Sequence, residues 1–108
     1  MIGAACDRED SVLQEIGRIA GSQSDQVIIK KTGNYLRGRT HLEISELFEE
    51  GVRETPTAPE PLHAASELEG LDLALSLAKR GDAIAITCHE QMDEMLARLN
   101  AIGTPRPA

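Results

Sequence analysis

Met1-Ile2-Gly3-Ala4-Ala5-Cys6-Asp7-Arg8-Glu9-Asp10, with Val12, Leu13, Ile16, Ile19 and Ala20 behind it, decides the fold class. Met1 to Cys6 is an apolar run without alternation, the pattern of a strand buried on both faces of a parallel sheet. The five apolar positions from Val12 to Ala20 share one helical face. Asp10 or Ser11 can cap that helix, Ser11 and Gln14 have capping-box spacing, and Gly21 suits its end. A strand running straight into an amphipathic helix opens an α/β fold. A strand at residue 1 also points to a longer parent sequence around this segment.

Working outward, Val27-Ile28-Ile29 within residues 26–30 reads as a second buried strand. Lys30 and Lys31 lead into a polar loop from Thr32 to Arg39. Thr40 and Glu43 form a capping box for a second helix with Leu42, Ile44, Leu47 and Phe48 inward and Gly51 at its end. Residues 53–61 carry three prolines and read as an extended surface connection. Ser66 and Glu69 cap a third helix that runs through Leu68, Leu71, Leu75 and Ala78 to Lys79 and Arg80, with Gly81 closing it. Ala83 to Cys88 reads as a third buried strand. Gln91 to Asn100 reads as a fourth helix with Met92, Met95, Leu96 and Leu99 inward. The expectation is an α/β, Rossmann-like parallel sheet of about three strands flanked by four helices, over residues 1–102, with 103–108 a disordered tail.

The 108 residues contain 12 Leu and 9 Ile but no Trp, so the core is aliphatic. Eleven basic against eighteen acidic residues give a net charge of −7, which argues against a duplex nucleic-acid partner. No apolar run reaches the about 18 residues of a membrane span, and the N-terminus lacks the form of a signal peptide. Cys6 and Cys88 are not a disulfide framework. These features suit a cytoplasmic domain without membrane or nucleic-acid partners.

In an open parallel sheet, ligands bind beyond the carboxyl ends of the strands. Three segments fall there: residues 6–10, residues 30–39 and Cys88-His89-Glu90. Asp7, Arg8 and Asp10 can cap a helix and pair at the surface, or hold a ligand. Arg37 and Arg39, around Gly38, can fork onto a carboxylate or phosphate, or form a solvated turn. Cys6, Cys88 and His89 could make a thiol or metal site, but they lack short chelating spacing and a third orienting group. The chain has neither a G-x-x-x-x-G-K-[ST] loop nor a G-x-G-x-x-G fingerprint.

Taken in order, Met1 to Asp10, Ile16-Gly17-Arg18-Ile19-Ala20, Asp25 to Lys30, Leu36-Arg37-Gly38-Arg39, and the stretch from Ser66-Glu67-Leu68-Glu69 to Gly81-Asp82-Ala83-Ile84-Ala85-Ile86 resemble the C-terminal lobe of the Mur-ligase-like half of cyanophycin synthetases. The resemblance covers about residues 1–98. It implies part of an ATP-dependent, amide-bond-forming ligase that adds arginine to the side chains of an aspartate polymer. In such ligases a carboxylate is phosphorylated by ATP and an amine attacks the acyl phosphate. The resemblance implies ATP and Mg2+ in the parent enzyme and none in the isolated chain. It implies no catalytic or metal residue here, and substrate binding by Asp7, Arg8, Asp10, Arg37 and Arg39.

The chain departs from the family's pattern in three places. Cys6 and Cys88 stand where the family carries glycine, and Gly70 where it tends to have alanine. The nucleotide-binding domain is absent, as is a strand expected upstream of Met1. The expectation is therefore a substrate-presenting piece, inactive alone. The alternative is a stand-alone binding or interaction module on the same scaffold.

Overall fold

A computed structural model describes residues 1–3, 9–31 and 40–105. Its regular elements, in chain order, are α1 (Asp10–Gln23), β1 (Ile28–Lys30), α2 (His41–Arg53), β2 (Leu62–Ala64), α3 (Glu67–Leu77) and α4 (Met92–Ile102). The class is mixed α/β, with four helices and a two-stranded parallel sheet in which Ile28 pairs with Leu62 and Lys30 with Ala64.

The sheet extends beyond its two strands by single hydrogen-bonded steps. On the side of β1 away from β2, Ile2 N–H donates to Ile28 C=O at 2.8 Å and Lys30 N–H donates to Ile2 C=O at 2.9 Å, a parallel bridge. On the far side of that segment, the Met1 amino group donates to Ala85 C=O at 2.8 Å. Thr87 N–H donates to Met1 C=O at 3.2 Å. Residues 85–87, 1–3, 28–30 and 62–64 thus lie side by side, all running the same way.

Alternation along β1 sends neighbouring side chains to opposite faces. Val27 and Ile29 join Leu13, Ile44, Phe48 and Val52 in one core with α1 and α2. Ile28 joins Ala64 and Ala74, with Met1, Leu62 and Leu73 against them, in a second core under α3. Helices therefore cover both faces, which is why this strand reads as a continuous apolar run.

Several sequence expectations are corrected. Ala83 to Cys88 is not a strand, and Ala83, Ile84, Ala85 and Thr87 are exposed, because the only ladder partner of this stretch among the described residues is the short Met1 segment. A strand absent from the sequence reading, β2, comes directly after the proline-rich connection. Its three residues are too few for a visible alternation, and the prolines end one residue before it. Residues 4–6 of the expected first strand lie outside the described residues.

Helix ends differ too. α1 has Glu9 at its N-cap with no side-chain cap bond, so neither Asp10 nor Ser11 caps it. Gly21 and Gly51 lie inside α1 and α2 rather than at their ends. Together with Gly17 they allow the two helix backbones to meet: a Cβ at Gly17 would run into the Phe48 carbonyl, and one at Gly51 into the Gln14 carbonyl. α3 stops at Leu77, with Ala78 extended, so Lys79 and Arg80 lie in a separate turn where Gly81 takes φ +92°. At Thr40 and Ser66 the hydroxyl half of each expected capping box forms, accepting from Glu43 N–H and Glu69 N–H at 3.1 Å each, without a return bond from either glutamate side chain among the described residues. α4 begins one residue late and, among the described residues, buries only Met95, leaving Met92 and Leu96 exposed because α4 packs chiefly on one side, against α3.

The α1–α2 contact generates a direct test. Gly51→Ala should gain about 1 kcal/mol of helix propensity yet lose more by forcing two backbones apart, for a net loss of about 2 kcal/mol. A urea midpoint unchanged or raised would refute backbone contact at Gly51, with exposed Gly103→Ala as the control.

Candidate functional site

Lys30 ends β1 on the same face as Ile28, so its side chain points toward α3 and away from water. A Cβ at Gly3 would run into the Lys30 side chain, so the stem crosses the Met1–Gly3 segment at its one residue without a side chain. The ammonium then donates to the Thr87 carbonyl and to Glu67 Oε2. Both charged side chains are fully buried, at 0% exposure each.

Glu67 is the first residue of α3, directly after the Ser66 cap, where the helix dipole favours an anion. Its carboxylate gathers donors from the turn that leads into α4. Glu90 N–H and Gln91 N–H donate to Oε1 at 2.7 Å each, and the Cys88 thiol donates to the same oxygen at 3.3 Å. His89 N–H donates to Oε2 beside the Lys30 ammonium. Gln91 is the N-cap of α4, whose own side chain makes no cap bond there. The Gln91 amide oxygen instead accepts from Leu68 N–H at 3.0 Å. Glu67 thus serves as the anion for two helix starts at once.

Burial alone would raise the Glu67 pKa, but the Lys30 ammonium and the backbone amides of Gln91, His89 and Glu90 outweigh it and hold the carboxyl at about 2. Burial and the neighbouring Glu67 carboxylate push the Cys88 thiol upward, away from the reactive thiolate. Chemically, this arrangement fixes a loop at the carboxyl end of the sheet. Its carboxylate is saturated with donors and offers nothing to a ligand.

Of the residues singled out from sequence, Asp7, Arg8, Arg37 and Arg39 lie outside the described residues, as does Cys6. Asp10 is described; it is exposed in the first turn of α1. Cys88 and His89 are half-buried beside Glu67. Among the described residues, no three His, Cys, Asp or Glu side chains come together as metal ligands. No helix is long and apolar enough to cross a membrane among these residues. Lys30 and Glu67 have no assigned role in the sequence reading. A lysine closing a β-branched run and a glutamate directly behind a helix cap are the signals that could have found them.

No family model, curated protein or solved structure matches the chain.

The Glu67 pKa fixes the sign of an acid response. A folded-state pKa of about 2 against an ordinary 4.5 means that the carboxylate stabilises the fold above pH 4.5. That contribution, about 3 kcal/mol, is lost as pH falls from 4.5 toward 2. Glu67→Gln, which leaves the Lys30 ammonium buried without its counter-charge, should cost about 3 kcal/mol at pH 7. It should also flatten the fall in urea midpoint between pH 4.5 and 2. A variant with the parent's acid slope would refute this account of Glu67.

Proposed function

We propose that the chain is the C-terminal, substrate-presenting part of an ATP-dependent, amide-bond-forming ligase that resembles cyanophycin synthetase. Its substrates would be arginine and an aspartate polymer, in the cytoplasm. The observation that carries the reading is the ordered set of motifs from Met1 to Ile86, in which Asp7-Arg8-Glu9-Asp10 and Leu36-Arg37-Gly38-Arg39 each come after one of two neighbouring parallel segments. It is supported by the backbone bonds between Ile2 and β1, which make both segments end toward the same side. That side is where open α/β sheets bind ligands.

In this reading, Asp7 and Asp10 meet the guanidinium of arginine, and Arg8, Arg37 and Arg39 meet its carboxylate or the polymer's. ATP and Mg2+ belong to the nucleotide-binding domain of the parent enzyme. The sequence carries neither a G-x-x-x-x-G-K-[ST] loop nor a G-x-G-x-x-G fingerprint, which supports keeping the nucleotide with that domain. The role of this chain is to hold and orient the amino acid, not to activate the carboxylate.

Cys6 and Cys88, standing where the family carries glycine, favour a second reading as a stand-alone binding or interaction module. Titration separates the two. With isotope-labelled chain, arginine should shift amides at residues 7–10 and 36–39 with millimolar affinity, about 4 kcal/mol, since the companion domains' pocket walls are missing. Shifts confined to residues 21–25 or near Gly81 would place the ligand at the wrong end of the sheet. No shift at all would favour the module. The purified chain should also show no ATP turnover above a matched blank. Turnover abolished by substitutions in this chain would refute the division of labour.

A further inference from the structure

The two outer edges of the sheet are treated differently. β2 is blunted: Pro59 and Pro61 precede it, its His63 side chain contacts Glu49 at 2.6 Å, and the Arg53–Glu60 ion pair at 3.1 Å lies just before it. Such features keep an edge from pairing with another chain. The opposite edge, Ala83-Ile84-Ala85-Ile86-Thr87, carries no charge and no proline. Ala83, Ile84, Ala85 and Thr87 are exposed.

The hydrogen bonds give the direction of this edge. Ala85 C=O and Thr87 N–H face Met1. Alternation then turns the backbone groups of Ile84 and Ile86 outward. Among the described residues, neither has a hydrogen-bond partner. The result, among the described residues, is an uncovered row of backbone donors and acceptors set between apolar side chains.

We propose that residues 83–87 pair with the same segment of a second copy of the chain, antiparallel about a two-fold axis at Ala85. Charge argues for this occupant and this direction. The turn before the edge carries Lys79 and Arg80, while Glu90, Asp93 and Glu94 lie beyond its far end. Antiparallel pairing sets the basic end of one copy against the acidic end of the other, whereas parallel pairing sets like against like. Centring on Ala85 puts the outward groups of Ile84 opposite those of Ile86 in the second copy, so both copies satisfy their open groups. A shift by two residues toward the C-terminus would set Asp82 against Glu90. The contact is short, below the area of stable interfaces, so the dimer is a weak one in rapid exchange.

Sedimentation of the full chain over a wide concentration range should show a monomer–dimer equilibrium. Ile84→Pro removes an outward amide that has no partner among the described residues, so it should weaken dimerisation at least about tenfold while far-UV circular dichroism stays unchanged. Independently of that variant, Ala85→Cys places a thiol on the two-fold axis, where facing Cα atoms of a non-hydrogen-bonded pair lie about 4.5 Å apart, within disulfide reach. It should cross-link under mild oxidation well above both the parent and Ala83→Cys. A monomer at every concentration would overturn the proposal. So would a dimer untouched by Ile84→Pro in a folded chain, or equal cross-linking by Ala83→Cys and Ala85→Cys.

Discussion

The buried contact between Lys30 and Glu67 is the constraint around which the second half of the molecule is arranged. An ammonium and a carboxylate with no exposed side-chain surface are costly to desolvate, and their mutual attraction alone rarely repays that cost. Here the balance is met by neighbours. The ammonium also bonds the Thr87 carbonyl, and the carboxylate collects three backbone amides and a thiol. Each added partner ties a different piece of chain to the same point: β1, the stretch before Cys88, the first turn of α3 and the entry to α4. The pair acts as a junction more than as a bridge.

The first half is held by a different force. α1 and α2 approach through Gly17, Gly21 and Gly51, and they close over Leu13, Val27, Ile29, Ile44, Phe48 and Val52. The core there is apolar, because the helices meet backbone to backbone and the sheet supplies the floor; Gln14 donates to Glu50 at 2.6 Å only at its exposed margin. One face of the sheet is therefore governed by shape and the other by charge. β1 serves both, sending Val27 and Ile29 one way and Ile28 and Lys30 the other.

Much of this is legible in the residues, and the failures have physical causes. The caps at Thr40 and Ser66 can be read because their chemistry is local: one hydroxyl and one amide three residues on. Gly21 and Gly51 read as helix ends because a glycine that stops a helix and one that admits a neighbouring helix look alike along the chain. Ala83 to Cys88 has the composition of a buried strand, yet burial needs a partner on each side, and composition cannot supply one. The role of Glu67 is hidden in the sequence because its donors come from residues 88–91, brought there by the fold. Of the candidate ligand-binding set, the grouping by strand end comes from topology alone, and only Asp10 falls among the described residues.

α4 illustrates the dependence created when two helices share one anion. It has 11 residues and buries one side chain, Met95, so neither its length nor its packing would sustain a helix in water. The amides at its start are held by a carboxylate belonging to α3, and Arg98 reaches back to Asp72 on that same helix. Helicity in α4 is thus conditional on α3 being folded and on Glu67 being ionised. The two helices are tied through one carboxylate, and the Cys88–Gln91 turn is held by the same atoms.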